Sequence, residues 1–191
     1  MDPYKIIEKY FDKNSQAYNI LVTHSEAVLK KAMQIAKNVP ELYPNFELIK
    51  QGALLHDIGI VKCRVPALGC NGTEPYIKHF LFSRNILCHE GCSPELQNVV
   101  LKHIGCGYTV DEIDTYNFPF PKEDVIAKTV EEQIVSIADM YFSKKIGHLH
   151  DERSLDEIRD RFRKYSIRQQ RLFDRWVKKY KLETLPKLEF E

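Results

Sequence analysis

No stretch of these 191 residues is long and apolar enough to cross a bilayer. The opening MDPYKIIEKY has no apolar core of a secretory signal, so the chain reads as cytoplasmic. Cysteine is scarce and odd in number, at Cys63, Cys70, Cys88, Cys92 and Cys106. That argues against a disulfide framework, and the lack of any CxxC pair argues against a structural zinc site. Net charge is almost absent, with 28 basic residues against 27 acidic ones. Such a balance asks for neither a nucleic-acid partner nor a membrane surface, and it fits a small-molecule substrate. Nothing in the sequence fixes an oligomeric state. Asn71-Gly72-Thr73 matches a glycosylation site, but it has no secretion signal to give it meaning.

Repeats and low-complexity tracts are absent too. What is present is helical periodicity, with no convincing alternation, so the expected class is all-α in one domain spanning 1–191. The expected helices are about 3–12, 24–38, 46–61, 75–90, 94–104, 129–146, 154–165 and 167–181. Thr23 with Glu26, Thr129 with Glu132 and Ser154 with Glu157 each fit a capping box, and Ser93-Pro94 fits an N-cap before a first-turn proline. Two loops remain, 63–74 and the long 105–128. The second is a candidate lid or a packed surface excursion.

Residues 52–62 read GALLHDIGIVK and set a histidine and an aspartate inside an apolar run. Buried charges are paired or coordinate metals. His56 shares a stripe with Ile49, Ala53 and Ile60, the core-facing side by periodicity. Other polar groups share apolar stripes as well. His24 aligns with Val28, Ala32 and Ile35, and His79 with Ile86. His103 aligns with Val99 and Val100, and Asp139 with Val135 and Phe142. Four imidazoles and two carboxylates pointed inward ask for positive charge, and a pair of divalent ions of Fe, Mn, Co, Ni, Zn or Mg would supply it. A second HD pair, His150-Asp151, lies in a polar stretch and reads as solvated loop. His89 reads as a helix-end residue, and Lys102 as solvated charge.

The ordered set His24, His56-Asp57, His79, His103 and Asp139 resembles the HD-domain superfamily, and HDIG at 56–59 names one of its subgroups. The likeness covers about residues 20–145. It implies a five-helix core with a metal site at its centre, and residues 154–181 would be added helices closing the bundle. It further implies that His24, His56, Asp57 and Asp139 hold a first metal, with His79 and His103 joining Asp57 around a second. Relatives reading HDIGK have a lysine where Ile60 stands here, and the GYP signature of cyclic-dinucleotide hydrolases is absent.

The activity so implied is phosphohydrolysis of a nucleotide or other phosphate ester, in which a metal-activated hydroxide attacks phosphorus. Asp57 and His56 are then the residues at the chemistry. Lys144, Arg64 and Lys62 are candidate phosphate contacts, and Tyr108, Tyr116 or Phe118 would stack on a leaving group. The same ligand set resembles that of mixed-valent di-iron oxygenases that cleave C–C or C–P bonds, which is the alternative activity. A nucleotide-sensing module that has lost its chemistry is a weaker reading, because six costly buried groups are all still there.

Overall fold

The computed structural model describes residues 1–190. The helices are α1 Pro3–Tyr10, α2 Gln16–Asn38, α3 Phe46–Leu55, α4 His79–His89, α5 Pro94–Leu101, α6 Val110–Thr115, α7 Val130–Met140, α8 Leu155–Tyr165 and α9 Ile167–Lys179. The class is all-α. The only strands among the described residues are β1 Arg64–Val65 and β2 Cys70–Asn71, an antiparallel pair inside the 63–74 loop.

Several boundaries differ from the periodicity. α2 begins at Gln16, eight residues before the expected start at 24. The Ser15 side chain caps it by accepting from the Tyr18 backbone N–H at 3.1 Å. The apolar stripe runs back through Ala17, Ile20 and Leu21, all buried, so Thr23 lies in mid-helix. The expected helix 46–61 breaks at the HD pair. His56 keeps helical backbone, Asp57 leaves it, and a 3-10 turn follows over Ile58–Lys62. Gly59 explains the tight turn. A Cβ there would meet the His79 carbonyl at 2.1 Å and the Ser83 nitrogen at 2.3 Å, so only glycine lets this turn press against α4. The long connection holds the unexpected helix α6, opened by a capping box between Thr109 and Glu112.

α2 packs on α3 and α7, and α4 packs on α5 and on the turn after Asp57. One core gathers Val28, Ala32, Ile35, Ile134, Val135 and Ile137 with residues of the last helices, Phe173, Trp176 and Tyr180. A second core lies beneath α1, from Ile7, Leu21, Leu55 and Ile58 to Leu87 and Val100. Each such fully buried aliphatic side chain contributes about 1.5–3 kcal/mol. α8 and α9 close the bundle with Ile158, Phe173, Trp176 and Tyr180 buried, whereas Tyr165, on the same stripe by phase, is exposed at the end of α8. Lys102 is not solvated. It pairs with the buried Glu132 at 2.9 Å, the residue that also caps α7.

Candidate metal centre

Five segments deliver polar side chains to one point. His24 comes from α2, and His56 and Asp57 from the end of α3. His79 opens α4. His103 lies just beyond α5, and Asp139 in the last turn of α7. His24, His56 and Asp57 are fully buried, and His103 nearly so. Asp57 divides them. Its Oδ2 lies 3.1 Å from His56 Nε2 and 3.5 Å from His24 Nε2. Its Oδ1 lies 3.2 Å from His79 Nε2 and 3.6 Å from His103 Nε2. Asp139 Oδ1 is 3.0 Å from His24 Nε2 and 3.4 Å from His56 Nε2. Two groups of metal-capable atoms result, His24–His56–Asp57–Asp139 and Asp57–His79–His103, each within 4.8 Å.

The imidazoles are aimed from behind. His56, His79 and His103 each donate Nδ1–H to the carbonyl three residues earlier, on Ala53, Tyr76 and Val100, at 2.8, 2.8 and 2.6 Å. In its neutral form a ring donating through Nδ1 has its lone pair on Nε2, which is how histidine is held for a metal. Nε2 of His79 faces Nε2 of His103 at 3.0 Å, and Nε2 of His24 faces Nε2 of His56 at 3.3 Å. Neither Asp57 oxygen has a well-aligned hydrogen-bond donor. Ring nitrogens turned toward one another, around a buried carboxylate whose two oxygens each face two of them, make a donor set that fits a divalent ion.

Among the described residues, Lys144 alone brings an ammonium to this cluster, and it closes on Asp57 Oδ2. Burial opposes ionisation of Asp57 and Asp139, yet Lys144 foremost, then the imidazoles, hold both well below the usual carboxylate range. Burial and Lys144 push His24 down to about 4. Burial works against His56 too, but Asp57 and Asp139 overcome it and carry that imidazole up to about 10. Burial lowers His103. Against its own burial, Lys144 is held above the ordinary lysine value by Asp57, Tyr76 and Asp139.

A cavity of about 800 Å³ opens on this cluster and reaches His79, His103, Asp139 and Lys144. Tyr76 lies beside it, its ring stacked on His79 at 4.6 Å. Tyr108, Tyr116 and Phe118 line it and also pack on one another, Tyr108 edge-on to Phe118 at 4.9 Å. Lys62 and Arg64 do not line it. The chain turns away at the buried Cys63, and Arg64 is exposed on β1, tied through its backbone to Glu74. Arg153 and Arg161 do line it, as do Phe162, Tyr165 and Gln169. Sequence reasoning missed them because α8, α9 and the segment before α8 reach the site only after the chain folds back. Arg153 donates to the Met140 carbonyl at 2.8 Å and to that of Phe142, which braces the segment bearing Lys144.

The HD domain family model matches residues 21–143. The chain belongs to the HD domain family. It is 32% identical over 152 residues to a tRNA (cytidine(56)-2'-O)-methyltransferase of Thermoplasma volcanium, a match covering 79% of this chain and 38% of that protein. A protein of the same name from Picrophilus torridus is 31% identical over 127 residues, covering 66% and 33%. The chain therefore spans about a third to two fifths of these relatives. An uncharacterised protein of Methanocaldococcus jannaschii is 30% identical, covering 73% of this chain and 76% of that one. The HD domain of L. monocytogenes phosphodiesterase PgpH, in complex with cyclic-di-AMP, shares the fold. Its TM-score is 0.50 at 17% identity, over 97% of this chain and 100% of that one.

Proposed function

We propose that this HD domain is a metal-dependent phosphohydrolase acting on a phosphate ester of nucleotide type. The reading treats residues 1–191 as one domain, with a core of about 20–145 and the last helices as an extension. The observation that carries it is Asp57, with one oxygen turned to each of two histidine groups and Lys144 alongside. In this assignment His24, His56, Asp57 and Asp139 hold one ion, and Asp57, His79 and His103 a second. Bound divalent ions supply positive charge that polarises a phosphoryl oxygen and acidifies water. The chain's own part is to place and screen the phosphate. Lys144 is the cation nearest the ligands, and Arg161 lies at the cavity wall, so both meet an entering anion. Arg153 is engaged with backbone carbonyls and holds Lys144 in place. Tyr76, Tyr108 and Phe118 cover the walls with apolar ring faces that exclude water and accept a base.

The named methyltransferases match over little more than a third of their length, so methyl transfer is not carried over. Their tRNA substrate does make RNA-borne phosphate esters part of the proposal.

The test is protein purified without oxygen, its metal measured, then assayed with Mn(II) or Fe(II) on phosphomonoesters, nucleotides, dinucleoside polyphosphates and short RNAs. His56→Ala should lower kcat/KM about a hundredfold or more, since even outer-shell partners of metal ligands cost ~10–100-fold. Undiminished activity in that variant removes the reading. A mixed-valent iron signal in electron paramagnetic resonance, without hydrolysis, moves it to the oxygenase.

A further inference from the structure

Charge is spread unevenly along this chain. Residues 161–181 hold nine of the 28 basic residues and one of the 27 acidic ones, Asp174. The other 170 residues are thus acidic, with 26 acidic against 19 basic. The near-zero total conceals a local basic surface.

α9 sorts these charges by face. Phe173, Trp176, Val177 and Tyr180 are buried in the core. Arg171, Arg175 and Lys178, at i, i+4 and i+7, form an exposed stripe on the opposite side. None of the three pairs with a carboxylate among the described residues, and Asp174 is already engaged by Arg159 at 2.9 Å. The stripe itself does not line the cavity, but the N-terminal end of α9 borders it through Ser166. Arg168 continues the basic side at the start of α9, and Gln169, on the buried side of the same turn, lines the cavity. Tyr165 and Tyr116, 78% and 53% exposed, also line it, so two open rings stand at the cavity that this end of α9 borders.

We propose that the outer face of α9 is a track for the phosphate backbone of single-stranded RNA, leading an unpaired end past Tyr165 and Tyr116 into the cavity. Cations in a row bind phosphates without regard to sequence, and exposed rings stack on unpaired bases. An anionic membrane is a poorer fit. A helix lying in a bilayer interface inserts its apolar face, and the apolar face of α9 is already inside the protein. The entry of the end into the cavity rests on the phosphohydrolase reading, whereas the track rests on charge and exposure alone.

The experiment is fluorescence anisotropy of the full chain with a labelled oligouridylate of about twelve nucleotides, at two salt concentrations. The wild type should bind, and more weakly as salt rises. Arg171→Glu/Arg175→Glu/Lys178→Glu should weaken binding about tenfold or more and flatten the log–log salt slope by about 2, roughly 0.7 for each lost phosphate contact. Hydrolysis of a mononucleotide should be unchanged in that variant, and its melting temperature near wild type. If the reversal misfolds, the triple Gln variant replaces it. Equal binding by wild type and variant overturns the proposal, as does binding to phosphatidylserine vesicles with none to the oligonucleotide. The binding result stands even if no hydrolysis is found, so the two readings fail separately.

Discussion

At the scale of single residues, Asp57 and Asp139 bring two negative charges into a buried site where Lys144 and a protonated His56 balance them. Under the proposed ligand set, a metal must displace that proton. Because His56 is carried up to about 10, it is protonated across the neutral range in the metal-free protein. Metal affinity should therefore rise with pH through this range, by up to about tenfold per unit for one proton released. Chelator competition between pH 6 and 9 measures this, and a flat profile would contradict the charge assignment. Lys144 competes with the metal for the same Asp57 oxygen. Two unit charges 4 Å apart interact by about 1–4 kcal/mol between aqueous and near-surface conditions. Lys144→Ala should thus tighten metal binding about tenfold while lowering kcat/KM, since a phosphate loses its nearest cation. Titration calorimetry and steady-state kinetics read the two opposite effects.

At the scale of elements, the site depends on how closely the turn after Asp57 approaches α4. Gly59→Ala places a methyl group on the backbone of His79 and Ser83, which must move. The expected cost is about 2–4 kcal/mol, with metal lost from the His79 side first. Thermal melts and metal stoichiometry test it. Glu112 pins α6 to the start of α9 through Arg168 and Ser166. Burial alone would raise this carboxyl, but Arg168 holds it below the ordinary 4.5. A depressed carboxyl contributes stability above its unfolded value and loses it as pH falls through the folded one. Glu112→Gln should therefore cost about 1 kcal/mol at neutral pH and nothing in acid well below 4.5, as denaturant titrations would register.

These elements also mark how far periodicity reached. The inward stripes of α2, α3 and α7 were legible because apolar residues repeat on one face, and the six polar residues stood out against them. The break at His56-Asp57 was not legible, because Gly59 acts through α4, distant in sequence. α6 was hidden by flanking prolines and aromatics, although Thr109 and Glu112 had the capping spacing that revealed α7 and α8. Arg161 gave no signal, since a cation on an amphipathic helix looks the same facing water or a cavity, and Arg153, in the segment before α8, had no periodicity to place it.

At the scale of the whole molecule, the proposed ligands come from α2, α3, α4, α7 and the segment after α5, so any ion they share ties together parts of the chain more than 100 residues apart. The unfolded chain cannot assemble these donors, so binding adds directly to folding stability. At a free metal concentration a hundredfold above Kd the gain is about 2.7 kcal/mol. For a chain of this size that raises Tm by roughly 5–10 °C, at about 2–4 °C per kcal/mol. The rise should grow with the logarithm of metal concentration and vanish with chelator. Asp57→Asn should abolish it, because this one side chain belongs to both groups. His150→Ala should leave it intact, because that histidine stacks on Phe190 at the surface, away from the cluster. An equal rise in all three proteins would mean that the ion binds elsewhere, and that the convergence of these helices has another cause.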